Sequence, residues 1–299
     1  MEQHHHDHHH EITSLNKAFI IGITLNLAFV VAEFAAGFWY NSLGLLSDAG
    51  HNLGDVASLV LAMLAFRLAK VHPTASYTYG YKKSTVLVSL LNAVILLVAV
   101  GIIIAESITK LFHPRPVEGA AIAWVAGIGV VINAVTAWLF MKDKDKDLNV
   151  KGAYLHMAAD ALVSVGVVIS GIVIAHTGWY IIDPVIGLII ALVIIYSTWG
   201  LLRDSLRLSL DGVPAGTDIE KVEKAMHAVE GVQGVHHLHI WAISTTETAL
   251  TAHVSIDDLS DMERIKQEIK HELQHVGIHH ATLEFETSKI KGESLCWPD

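Results

Sequence analysis

The stretch Leu46-Ser-Asp-Ala-Gly-His-Asn-Leu-Gly-Asp-Val56 (LSDAGHNLGDV) sets Asp48, His51 and Asp55 inside a segment otherwise apolar enough to cross a membrane. Ionisable side chains are expensive there and mark sites or pathways. A second stretch, Tyr154–Leu162 (YLHMAADAL), repeats the pattern with His156 and Asp160. Both are His-x-x-x-Asp pairs. On a helix, positions four apart share a face one turn apart, so each segment offers an imidazole beside a carboxylate.

The surrounding composition supports a membrane setting. Of 299 residues, 52% are hydrophobic and 17% charged, too apolar for an ordinary soluble domain. Six segments reach the length of about 20 mostly apolar residues that a spanning helix needs: roughly 16–38, 46–69, 84–111, 119–140, 151–176 and 180–206. Charges and histidines concentrate in the last third of the chain. The expected organisation is a His-rich tail over 1–15, a six-helix transmembrane domain over 16–208 and a soluble domain over 209–299.

Lys and Arg set the orientation. Arg67, Lys70, Lys82 and Lys83 follow the second span, Lys142, Lys144, Lys146 and Lys151 follow the fourth, and Arg203 and Arg207 close the sixth. On the other side only Lys110 and Arg115 occur. Both termini and the soluble domain are therefore expected in the cytoplasm, with the chain in the plasma (inner) membrane. The run Lys142–Asp147 (KDKDKD) reads as a solvated loop.

Several classes are disfavoured. The formal net charge of −10 argues against nucleic acid as a partner. The single cysteine, Cys296, allows no internal disulfide. There is no His-Glu-x-x-His of a metalloprotease and no Gly-rich phosphate loop, so neither an enzyme nor an ATP-driven pump is expected. The start, MEQHHHDHHH, lacks the layout of a signal peptide and reads as a metal-gathering tail or a tag.

Two His–Asp pairs on separate spans can converge as an N₂O₂ shell, which suits Zn²⁺. Two carboxylates neutralise a divalent ion, so the loaded site is tolerable at low dielectric. Protons are the natural replacement in the unloaded site, competing with the metal for the same lone pairs. With alternating access, that competition is antiport. The rival readings are a divalent-metal channel and a membrane-bound metal sensor.

The cytoplasmic segment reads as a small α+β domain of order αββαβ. Ile219, Val222, Met226 and Val229 form one apolar stripe behind a Thr217/Glu220 capping box. Met262, Ile265, Ile269, Leu273 and Val276 form another behind Ser260/Glu263. VHHLHIWAIS, ALTAHVSI and HATLEFE read as strands. His271 and His275, four apart, read as a solvated face.

These motifs resemble the cation diffusion facilitator family, in its zinc-transporting branch. LLSDAGHNLGD, YLHMAADALVSVGVVISG, TYGYKKS and the tail carry the likeness over nearly the whole chain. The resemblance implies Zn²⁺ efflux, with Cd²⁺ and Co²⁺ as further cargo, in exchange for protons, and a homodimer. It implies a transport site of His51, Asp55, His156 and Asp160. It also implies a metallochaperone-like tail whose His236, His253 and Glu286 hold a structural or regulatory zinc. The chain departs from the family at the loop after the second span. Some relatives carry a metal-binding His there, whereas here Tyr81 and Lys82 stand, with His72 nearby. Cys296 resembles a tail ligand of some members.

Overall fold

In the computed structural model, residues 8–39, 43–112, 119–179 and 181–287 are described. The chain divides into two compact units, residues 1–205 and 206–299.

The first six elements are helices: α1 (His8–Trp39), α2 (Leu43–Leu68), α3 (Ser84–Phe112), α4 (Gly119–Met141), α5 (Leu148–Thr177) and α6 (Ile182–Ser209). All six expected segments are helices. By length and apolarity alone, three described stretches qualify as spans: Lys17–Ala35, Ser84–Phe112 and Pro184–Ser209, with Ala126–Met141 shorter. The helices α2 and α5 carry the ionisable pairs, and those residues depress their apolarity.

Two apolar clusters hold the unit together. Phe19, Leu59, Ala62, Phe140, Val150 and Met157 join α1, α2, α4 and α5. The Phe19 and Phe140 rings sit 4.8 Å apart, tilted by 54°. Leu96, Val100, Ala159, Ile190 and Ile194 join α3, α5 and α6. Close approach also needs small or hydrogen-bonding residues, because lipid competes equally well for apolar surface. Gly22 of α1 faces Thr136 of α4 so tightly that an added Cβ would lie 2.9 Å from Thr136 Cγ2. One turn on, Asn26 donates to Thr136 Oγ1 at 3.2 Å. Ser89 and Ser205 hydrogen-bond at 2.8 Å between α3 and α6.

The Lys142–Asp147 run is a turn with Lys142, Asp145 and Lys146 exposed, as expected of a solvated loop, but its last residue departs from that reading. Asp147 is buried, and its Oδ1 accepts from the Asn149 and Val150 amides, satisfying otherwise orphan donors at the start of α5. Lys144 lies 4.4 Å over the Tyr154 ring. Alternating charge hid a helix cap, since capping depends on one residue's backbone position and composition does not report it.

The second unit continues from the end of α6 through α7 (Ile219–His227), β1 (Val232–Ala242), β2 (Thr248–Ile256), α8 (Met262–His275) and β3 (His280–Thr287), the expected αββαβ order. The sheet order is β1-β2-β3. Strands β1 and β2 pair antiparallel, whereas β2 and β3 pair parallel across the α8 crossover. Val222, Met226, Ile240, Leu250, Val254, Ile256, Ile265, Ile269 and Leu273 form its core. Ile219 and Met262, expected in the buried stripes, are 48% and 37% exposed. Each opens its helix, before the periodic face meets the sheet. The caps also differ from expectation. Asp218 caps α7, accepting from the Lys221 amide. Asp258 caps a 3₁₀ turn (Leu259–Asp261) that leads into α8. In both cases a carboxylate next to or near the expected hydroxyl takes the role, being the stronger acceptor toward a positive helix end.

Candidate metal centres

Asp55 comes from α2, and His156 and Asp160 from successive turns of α5. All three are buried. His156 Nε2 meets Asp55 Oδ1 at 2.7 Å and Asp160 Oδ2 at 3.8 Å. One ligand atom from each lies within 4.8 Å of the others. His51 stands one turn before Asp55 in α2; its side chain, like that of Asp48, lies outside the described residues.

Magnitudes show what this costs. An ionised Asp at the centre of a span costs about 2.5–3.5 kcal/mol on insertion scales. Two together rival the whole stability of a small domain. The Asp55–His156 bond offsets part of the cost, yet Asp55 Oδ2 is buried with no hydrogen-bond partner among the described residues. A buried carboxylate oxygen of this kind calls for a partner, such as an ion, a proton or a water. The donor set fits a divalent ion. A tetrahedral shell with bonds of about 2.0–2.2 Å has ligand–ligand edges of about 3.3–3.6 Å. The 3.8 Å His156–Asp160 spacing is close to that edge. The 2.7 Å Asp55–His156 contact is shorter and requires a proton between the two atoms. That proton occupies the lone pairs a metal would use.

A neighbouring contact had no sequence signal beyond the presence of polar residues in spans. Asn52 donates to Glu33 Oε2 at 2.7 Å, both groups buried, tying α1 to the turn of α2 between His51 and Asp55. The isolated Asn and Glu are legible in sequence; their pairing across 19 positions is not.

In the second unit, His236 of β1 and His253 of β2 are direct cross-strand partners. His236 Nε2 meets Glu286 Oε1 of β3 at 2.8 Å. His236, His253 and Glu286 present ligand atoms within 4.8 Å of one another, all half-buried. Ser255 donates to Glu286 Oε1 at 3.0 Å and so orients the carboxylate. His253 also approaches Glu284 at 3.5 Å.

The β1 ladder is irregular between His236 and His239. Val235 and Leu238 both pack on the helix-covered face although three positions apart. Strict alternation forbids that, so one extra residue must be inserted between them. His237 is that residue, with φ +49°. A non-glycine residue in this left-handed region costs about 1–2 kcal/mol.

His271, Glu272 and His275 form a third group on α8, solvent-facing as expected for an exposed helix face. His72 is exposed, and no described cluster includes it. Cys296 and the histidines of the first ten residues lie outside the described side chains.

The descriptions of two family models match this division of labour. The cation efflux transmembrane domain matches residues 19–208, and the cation efflux protein cytoplasmic domain matches residues 214–288. The chain belongs to the cation efflux, or cation diffusion facilitator, family. The family resemblance read from the motifs thus holds for both domains, and the first unit is an integral membrane domain of a transporter family. Among similar proteins is a cadmium, cobalt and zinc/H(+)-K(+) antiporter of Bacillus subtilis (strain 168), 35% identical over 298 residues, 97% of this chain and 96% of the relative. The zinc transporter ZitB of Escherichia coli (strain K12) is 35% identical over 276 residues, 92% of this chain and 88% of the relative. The cation efflux system protein CzcD of Alcaligenes sp. (strain CT14) is 35% identical over 268 residues, 89% of this chain and 85% of the relative.

Proposed function

We propose that the chain exports Zn²⁺ from the cytoplasm in exchange for protons, with Cd²⁺ and Co²⁺ as further cargo. The observation that carries the reading is the burial of Asp55, His156 and Asp160 as one cluster within a membrane domain. The names of the relatives, an antiporter of cadmium, cobalt and zinc and a zinc transporter, support the same cargo. His51 completes the shell from α2. A metal in the shell takes the Nε2 lone pair and the carboxylate charge that protons on His156, Asp55 or Asp160 would otherwise use, so metal and protons compete for the site. Each proton that takes the ion's place offsets part of the charge that leaves with it, so the carboxylates are not left bare away from water.

A channel needs weak multiple sites, whereas a shell completed by His51 would bind its ion tightly at one place. A sensor without flux has no need of ionisable groups deep in the spans. A shell completed by His51 would leave no open ligand position for a reacting water, which supports transport over catalysis. The Lys and Arg distribution supports an orientation with both termini on the cytoplasmic side, and the plasma (inner) membrane is the location we propose. His236, His253 and Glu286 hold a regulatory zinc in the cytoplasmic domain, through which two copies of the chain associate as a homodimer.

Flux into proteoliposomes tests the transport reading. Zinc should enter saturably while a pH-sensitive dye reports protons moving the other way. Asp160→Ala should abolish both signals. Zinc flux indifferent to an imposed pH gradient would instead establish a channel, and no flux from correctly inserted protein would leave the sensor.

A further inference from the structure

We infer that His237 is a fourth protein ligand of the cytoplasmic metal site. The inference rests on the reading of His236, His253 and Glu286 as that site. Three observations on the second unit lead to it. The bulge that restores Val235 and Leu238 to the helix-covered face leaves His237 as the inserted residue, beside His236. The His237 ring lies 5.0 Å from the His253 ring and 5.4 Å from the His236 ring, centroid to centroid. Those two rings are themselves 5.4 Å apart, so the three imidazoles form a near-equilateral group. Finally, His237 adopts φ +49°, a conformation that glycine takes without cost and a histidine does not. Backbone strain of this kind clusters where a side chain must be aimed at a ligand.

The chemistry explains what the aiming achieves. His236, His253 and Glu286 supply three ligands, and closed structural zinc sites use four. With the His237 ring turned toward the other three ligands, the shell would be N₃O, with one carboxylate and three neutral imidazoles. Such a shell suits zinc and cobalt and disfavours calcium and magnesium, which take oxygen ligands. The site then discriminates against the abundant cytoplasmic divalent ions by donor type.

The test uses the full-length protein in a background carrying Asp160→Ala, with His4, His5, His6, His8, His9 and His10 replaced by serine. Binding of Zn²⁺ is measured by calorimetry, and Co²⁺ by its visible absorption, whose intensity reports tetrahedral coordination. His237→Asn keeps a residue that tolerates the left-handed conformation and removes the imidazole. His237→Gly removes both the imidazole and the strain. Both should weaken zinc binding at least about tenfold and lose the tetrahedral Co²⁺ band, while His237→Gly melts at a higher temperature without metal. Unchanged affinity and band in both variants, with binding lost in His236→Ala, would confine His237 to a backbone role and overturn the inference alone. Unchanged binding in His236→Ala would remove the site itself, and the inference with it.

Discussion

The Asp55 carboxylate and the His156 imidazole, 101 positions apart in the chain, meet at 2.7 Å inside the helical unit. Asp160 stands 3.8 Å from the same ring nitrogen. One nitrogen is thus placed between two acidic groups from different helices. Protons and a divalent metal ion are both suited to such an arrangement and compete for it.

Replacing either acid should therefore stop transport. Asp55→Asn keeps a hydrogen-bonding group for His156 but removes the charge that balances the cation. We expect loss of zinc flux by about 100-fold or more, at the upper end of what supporting residues cost metal sites. Surface expression should be normal. Proteoliposome flux at matched protein density checks it, and near-normal rates would remove Asp55 from the shell.

The His51 imidazole should govern selectivity more than rate. His51→Asp converts a nitrogen ligand to oxygen, and oxygen donors suit harder ions. Competition between Zn²⁺ and Mn²⁺ for uptake should shift toward Mn²⁺. An unaltered preference would show that this position does not filter the cargo.

The α1–α4 contact has little room. Gly22→Val places branched carbons where Thr136 Cγ2 already stands 2.9 Å from the position of a Cβ. Thr136 cannot turn away without disturbing its bonds to Asn26 and to the Ile132 carbonyl. Overpacking should cost about 1–3 kcal/mol, read as easier unfolding in detergent. A melting curve like that of the wild type would mean that the two helices separate freely.

Asp147 should behave as a helix cap. Asp147→Ala loses an acceptor for two amides of α5 and should cost about 0.5–2 kcal/mol, with Asp147→Ser recovering most of it. Equal losses in the two variants would point to a contribution from the charge and not from the cap.

A pH effect is expected in the cytoplasmic unit. Hydrogen bonds from Lys266, then Gln267, hold the Glu263 carboxyl below its ordinary value of 4.5. A lowered carboxyl stabilises the fold above its ordinary value, and the contribution fades as pH falls through the lowered one. The group is fully exposed, so the effect is small and screened by salt. Glu263→Gln should lower the melting temperature slightly near neutrality and not at all in strong acid. A difference of the same size at both pH values would rule out the charge as its source.

Sequence alone determined the six helices, the αββαβ tail and the two His–Asp pairs. Each is written in local periodicity or in i, i+4 spacing, and neighbouring residues on one helix stay neighbours whatever the rest of the chain does. It also marked His236, His253 and Glu286 as ligand types, through the family likeness. The tertiary structure decided the rest, because the partners lie far apart in the chain. Asp55 meets His156 only when α2 packs on α5, and Glu33 finds Asn52 only when α1 packs on α2. Strict strand alternation would set His236 and His237 on opposite faces. The bulge overrode it, because burying both Val235 and Leu238 against the helices stabilises the sheet more than regular pairing of one residue does.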